Sequence, residues 1–279
     1  MLPRLRHRAD LQSLLVLCGA SGVLTYSLSW DGGWGSALAL FGANAFLGLA
    51  AHVINHNASH CPVFEREGHN RWLFHWLSVL MGIPAAPIAA SHLHNHHVHN
   101  NDESDWMRST VLGSSQGPLR LVKYLVHVFR LPRLADRPGH RAVPAALYGR
   151  IAPETTTVLV ALVGMALWAP LATLLFYVLT RLTAMCVLFI INLIQHDGLE
   201  AESGVNRCRN FTGWLVNALL FHNGYHSAHH LRPGLHWSAL PAYHRERVVP
   251  TLRDDLAQAS VTRFIVFRYL APLHWRRRA

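Results

Sequence analysis

Twenty-one of the 279 residues are histidine, and most of them stand in runs. The first run is His52-Val-Ile-Asn-His56-Asn-Ala-Ser-His60. The second is His92-Leu-His94-Asn-His96-His97-Val-His99, trailed by Asn101-Asp102-Glu103-Ser104-Asp105. The third is His222-Asn-Gly-Tyr-His226-Ser-Ala-His229-His230, and His196 stands apart with Asn192 one helical turn before it. Neutral imidazole is a ligand for iron, zinc, copper or nickel. Imidazoles packed together without a metal would repel one another on protonation and lose solvation on burial. The runs therefore point to metal binding. On a helix, spacing of four puts His52, His56 and His60 on one stripe. His52 and His60 would then lie about 12 Å apart along the axis, too far for all three to hold one ion. Lone histidines such as His7, His69, His127, His140 and His274 read as surface or capping residues, and His75 as an interfacial or hydrogen-bonded one.

Other chemistries lack their anchors. No Glu-x-x-His or His-Glu-x-x-His occurs, which removes the carboxylate di-iron and zinc-protease patterns. There is no glycine-rich phosphate loop or zinc ribbon. The four cysteines (Cys18, Cys61, Cys186 and Cys208) form no C-x-x-C pair, which fits a reduced, intracellular setting for the polar part. Charged residues make up 14% of the chain and apolar types 51%, where a soluble domain carries about 25% charged. That balance excludes disorder and, despite a net charge of +10, a plain nucleic-acid-binding module. A membrane protein with a metal site is what remains.

Helices must carry these histidines across or along a bilayer, and a spanning helix needs about 20 apolar residues. Spans are expected at 11–30, 36–54, 155–168 and 171–196, the first pair divided by Asp31-Gly-Gly-Trp-Gly and the second by Trp168-Ala169-Pro170. The first is too long for the apolar part of a signal peptide and lacks a small-residue cleavage site after it. The expected fold is all-α and integral to the membrane. It is one domain over 1–279, with four transmembrane helices in two hairpins and a cytoplasmic helical cap (60–154 and 197–279) carrying the histidine runs. Lysine and arginine support this arrangement: 24 of the 25 lie in the N-terminal eight residues, in 60–154 or after Asp197, and the two short opposite loops hold none. By the positive-inside rule both termini and the histidine runs face the cytoplasm. Arg181 falls inside the fourth span, where it must snorkel outward or pair with another group. The apolar stretch 71–91 is interrupted by His75, Pro84 and Pro87, and reads as a re-entrant or interfacial segment. The stretch 119–131, with Arg120, Lys123 and Arg130 among Leu, Val and Phe, reads either as an amphipathic helix on an anionic leaflet or as a surface helix of the cap.

The histidine runs resemble the three boxes of the membrane fatty-acid desaturase and hydroxylase superfamily. His56-Asn-Ala-Ser-His60-Cys-Pro-Val-Phe64 is similar to the first box, and His96-His97-Val-His99 with its acidic trailer through Asp105 to the second. The third match is the most specific. It runs Gly224-Tyr225-His226-Ser-Ala-His229-His230-Leu-Arg-Pro233-Gly234-Leu-His236-Trp237 and on to Leu240-Pro241. Asn192-x-x-x-His196 looks like the additional histidine, with a nearby asparagine, of the family's di-iron shell. The resemblance covers about 40 to 245. One departure stands in the second box, usually H-x-x-H-H. Leu93 occupies the position three before His96, so its first ligand is His92 or His94, and spacing of four favours His92.

The resemblance implies two irons that use O2 to oxidise an unactivated C–H bond of an acyl chain, giving a double bond. It implies nine ligands: His56, His60, His92, His96, His97, His196, His226, His229 and His230. His52, His94 and His222 are further possible ligands, or residues that orient ligands or relay protons. Asn192 would stand close to the metal, and Asp102 and Asp105 would accept hydrogen bonds from ligating imidazoles. An external electron donor of ferredoxin or cytochrome type is implied, because the chain has no cluster, haem or dinucleotide motif. The acyl substrate would arrive as a lipid, a CoA thioester or a carrier-protein conjugate. Arg207, Arg209, Arg245, Arg247 and Arg276–Arg278 form a basic set that could dock an acidic donor, a lipid surface or an acyl carrier. Competing outcomes from the same site are hydroxylase, carotenoid ketolase, acetylenase and oxidative decarboxylase. A histidine-rich metal transporter or sensor is the rival of another class, although transporters place polar ligands near the bilayer midplane.

Overall fold

The computed structural model describes residues 3–130, 143–199, 202 and 204–271. Backbone contacts divide the chain into two compact units, residues 1–90 with 143–188 and residues 91–142 with 189–279.

The first unit is built on long apolar helices. Helix α1 (Asp10–Leu28) packs against α2 (Trp34–His60). The Asn44 amide of α2 donates to the Ser27 hydroxyl of α1 at 2.8 Å, a polar tie between the two helices. Helix α2 runs past the expected end at Ile54 through His60, because nothing between those residues breaks a helix until Cys61 and Pro62. Helix α3 (Glu67–Met81) stops at Gly82, whose φ of 76° is left-handed and therefore suits glycine. Pro84 prevents resumption, and the chain restarts as α4 (Ala85–Ser91). The N–H groups freed at this break find side chains: Ala85 donates to the Ser78 hydroxyl at 2.9 Å, and Ala86 to the Glu154 carboxylate at 2.7 Å. Such pairing is what a broken apolar segment needs in lipid.

Further along the chain come α5 (His97–His99), α6 (Pro118–Phe129) and α7 (Ala145–Trp168). Helix α7 starts ten residues before the expected span, since Pro144 precedes its first turn and Pro153 lies inside it without ending it. After Ala169 the fourth apolar segment is α8 (Pro170–Thr173), a π turn (Leu174–Val178) and α9 (Leu179–His196). Among the described residues, four helical segments are long and apolar enough to cross a membrane: Asp10–Leu28, Trp34–His60, Ala145–Trp168 and Pro170–His196. The helices either side of Gly82 meet that test only as one broken pair. Arg181 does not snorkel. It is buried, its Nη1 donates to the Asn44 carbonyl at 2.6 Å, and it lies against Gly48 and Gly82.

The second unit is a set of short helices around a core of Tyr124, Leu193, Ile194, Phe211, Phe264 and Tyr269. It contains α10 (Trp214–Leu219), α11 (His226–Leu231), α12 (Leu240–Tyr243) and α13 (Val261–Ile265). Its departure from a purely helical fold is a parallel pair of two-residue strands, β1 (Asn210–Phe211) and β2 (Ala257–Gln258). Helix α6 does not turn all its cations outward. Arg120 is buried and pairs with the carboxylate of Asp197, while Leu119, Val122, Val126 and Phe129 are exposed.

Candidate metal centre

In the second unit, three separate stretches of chain bring seven imidazoles together. Four of them, His96, His196, His226 and His230, have ring nitrogens within 4.8 Å of one another. Their Nε2 atoms form a chain: His96 to His196 at 3.2 Å, His196 to His226 at 2.9 Å and His226 to His230 at 3.1 Å. Beside them the Nε2 atom of His97 lies 2.9 Å from those of His92 and His229. The two sets adjoin, with the His97 and His230 rings stacked 4.4 Å apart.

Local structure explains the convergence. Residues His92–His96 form a π turn, in which the His97 N–H reaches back to the His92 carbonyl. The five-residue repeat sets His92 and His97 over one another, an arrangement an α-helix would not give. His94 lies outside both sets. Asn100 and Asn101 then take left-handed φ values of 42° and 70°, a conformation asparagine tolerates better than most residues. This reverses the chain and returns Asp105 to His96, whose Nδ1 donates to the carboxylate at 2.7 Å. Asp105 also accepts from the N–H groups of Asn101 (2.7 Å) and Met107 (2.8 Å). Burial raises its carboxyl, but the His96 charge and these donors outweigh that and hold it at about 2. An ionised Asp105 holds a proton on His96 Nδ1, so that the neutral ring presents its lone pair at Nε2. Burial, reinforced by the neighbouring imidazoles, also pushes His230 well below the ordinary histidine range, so its ring is neutral.

The third stretch is held from behind. Gly224 lies so close to β1 that a Cβ there would meet the Phe211 carbonyl oxygen at 2.1 Å. The side chain of Asn210 brackets the start of α11, accepting from the Ser227 N–H at 3.0 Å and donating to its hydroxyl at 2.8 Å. His229 and His230 follow within the next turn. Trp237 and Leu240 of the same sequence pattern are buried.

His56 and His60 belong to the first unit, at the end of α2 with ring centroids 5.2 Å apart. His52, one turn earlier, is buried with no hydrogen-bond partner for either ring nitrogen among the described residues. Asn192 donates to the Tyr124 hydroxyl at 2.7 Å rather than turning to an imidazole. Asp102 is largely exposed and accepts from the Ser104 N–H at 2.6 Å. Its nearest imidazole is His99, at 3.5 Å. His222 sits in a tight turn with φ 59°, and its Nδ1 lies 3.2 Å from the Trp237 carbonyl oxygen. Of the basic set, Arg209 is largely built into the unit, donating to the Ile194 carbonyl at 2.7 Å and covering the Phe264 ring at 4.5 Å. Arg276–Arg278 lie outside the described residues. Sequence reading missed Asn101 and Asn210. The Asn100-Asn101 pair is a turn signal, whereas Asn210 has no local signature.

The donor set fits metal. Nitrogens bound about 2.1 Å from one ion in neighbouring positions stand about 3 Å apart, which is the spacing between these Nε2 atoms. Lone pairs facing one another at that distance need a shared proton or a cation, and one cation could accept lone pairs from all four rings. The family model described as fatty acid desaturase matches residues 29–262. The chain belongs to that family. Within the fatty-acid desaturase family, part of the membrane desaturase and hydroxylase superfamily, iron is the usual metal and the reactions are oxidations. The matched region contains all three histidine runs and His196. Four apolar helices and this membership make the chain an integral membrane protein and an oxidoreductase. A search of curated protein sequences found no match.

Proposed function

We propose that this protein is an O2-dependent di-iron oxidoreductase that introduces a double bond into an acyl chain. The observation that carries the reading is the convergence of seven imidazole Nε2 atoms into two adjoining sets within a region matching the fatty acid desaturase family. The proposed ligands are His92, His96, His97, His196, His226, His229 and His230, together with His56 and His60. For the last two the support is the H-x3-H spacing of the family's first box and their shared face at the end of α2.

Bound iron would supply the O2 chemistry that no side chain can provide. The chain's own part is to present lone pairs and withhold protons. Asp105 keeps the His96 proton on Nδ1, and burial keeps His230 neutral. The electron balance follows from the reaction. Removing two hydrogens from a methylene pair and reducing O2 to two waters needs two further electrons and two protons. An external donor, of ferredoxin or cytochrome type, therefore has to be the partner. Hydroxylation requires the same two electrons and differs in leaving one oxygen on the product, and ketolase, acetylenase or decarboxylase outcomes extend the same oxidation.

The same reading sets the four spans as two hairpins with 60–154 and 197–279 on the cytoplasmic side, supported by the placement of 24 of 25 lysines and arginines. Expression in a host of defined lipid content tests the function, with mass spectrometry of free fatty acids, CoA thioesters, carrier conjugates and intact lipids. A product lacking two hydrogens, formed only with O2, is expected. A product carrying an added oxygen would make it a hydroxylase. One zinc per chain with no O2-dependent product would sink the reading.

A further inference from the structure

Asn101 touches both sides of the buried imidazole set without being a ligand. Its backbone N–H donates to Asp105 Oδ2 at 2.7 Å, the same oxygen that receives the His96 Nδ1 proton. Its side-chain Nδ2 donates to the carbonyl oxygen of His196 at 3.2 Å. Its Oδ1 accepts from the Ser109 N–H at 2.7 Å, which locks the amide orientation. The residue is buried, 1% exposed, and its φ is 70°. His96 and His196 are 100 residues apart in sequence, and their Nε2 atoms are 3.2 Å apart. Asn101 is the residue whose hydrogen bonds reach the backbone of one and the carboxylate partner of the other.

We propose that Asn101 is a positioning residue that fixes the separation of His96 and His196, and through it the metal affinity of the set they share. The proposal rests on the reading of these histidines as iron ligands. The physical case is one of shared constraints. Asp105 orients the His96 ring only if the carboxylate is itself held, and the Asn101 N–H is one of the donors that hold it. The last turn of α9 ends at His196, where helix carbonyls lack helical N–H partners. The Asn101 amide is a second donor to the His196 carbonyl, beside the Leu199 N–H at 3.1 Å, and ties that turn to the 100–109 loop. Asparagine suits both tasks: the backbone needs a residue tolerant of left-handed φ, and the side chain needs a donor and an acceptor together.

Three variants of the full-length membrane protein in detergent separate this role from bulk stability. Asn101→Gly keeps the left-handed backbone and the N–H to Asp105 but removes the amide. Asn101→Asp keeps an acceptor for Ser109 and loses the donor to His196. Asn217→Ala removes a buried amide that donates to the Phe211 and Gly213 carbonyls at 2.8 and 2.9 Å, and serves as the matched control. The readouts are iron per chain, rate of iron loss to a chelator, and the Mössbauer spectrum of 57Fe-loaded protein. Residues that orient ligands typically change metal affinity by about 10- to 100-fold. Asn101→Gly and Asn101→Asp are expected to weaken iron retention by that factor and to alter the spectrum of one iron, while Asn217→Ala loads and retains iron like the wild type. If either Asn101 variant folds and retains iron within twofold of the wild type with an unchanged spectrum, the proposal is overturned. Equal loss in Asn217→Ala overturns it too, since a general loosening would then explain the effect. Wild-type protein that binds no iron would instead refute the ligand reading itself and the proposal with it.

Discussion

The Nδ1 atom of His96 lies 2.7 Å from Oδ2 of Asp105, and both residues are buried. Asp105 collects hydrogen bonds from His96, Asn101 and Met107 and carries the charge that sets the imidazole's tautomer. Replacing it by asparagine keeps the shape and removes the charge. Asp105→Asn is expected to lower iron affinity about 10- to 100-fold, measured by chelator competition on the purified protein. Unchanged affinity would show that the carboxylate does not tune this ligand.

The same contact makes a statement about acid stability. The folded carboxyl titrates at about 2, below its ordinary 3.8. A depressed acid stabilises the fold fully above its unfolded value, and the contribution is lost as pH falls from there through 2. The difference corresponds to about 2 kcal/mol. Metal-free wild type is expected to lose thermal stability between about pH 4 and pH 2 more steeply than metal-free Asp105→Asn, as followed by melting in detergent. Parallel curves would remove Asp105 from the acid response.

His96→Ala and His229→Ala each delete a nitrogen from one of the two imidazole sets. Each variant is expected to abolish O2-dependent product while the protein still fractionates with membranes. Product retained in both would refute the ligand assignment.

Gly82 ends α3 at φ 76°, and a Cβ there would lie 3.0 Å from Arg181 Cγ. Gly82→Ala combines a left-handed conformation, costing about 1–2 kcal/mol for an L-residue, with displacement of a buried arginine. A melting temperature several degrees lower is expected. No change would mean that the break at Gly82 relaxes freely.

The charge asymmetry makes a prediction about sidedness. In a chain whose native cysteines are replaced by alanine, Asp31→Cys should react with a membrane-impermeant thiol reagent in intact cells. Glu65→Cys should react only after permeabilisation. The reverse pattern would invert the proposed topology.

Much of this architecture was written in local patterns. Apolar length marked four spans, and the breaks at Asp31-Gly-Gly and Ala169-Pro170 divided them where the helices end or restart. Boundaries were less legible. Helix α2 continues to His60 because polar Asn55, His56 and Asn57 are still compatible with helix, whereas a hydropathy reading stops where lipid would. Residue types and spacing singled out the histidines. Their support was not visible in the same way, because Asn101 and Asn210 act through contacts 95 and 17 residues away in sequence. The burial of Arg120 in α6 was not legible for a related reason: its partner Asp197 is 77 residues distant.

The π turn at His92–His96 bears on how the second box can vary. A π turn is an α-helix with one residue too many, and the surplus is absorbed in the winding while the flanking turns keep their course. Removing Leu93 would leave His92 three positions before His96, the usual H-x-x-H-H count, on a backbone free to revert to ordinary α-helical winding. Residue number and helical pitch thus compensate for each other. The ligand is defined by where its ring arrives, and a strict count along the chain is one of two ways to bring it there.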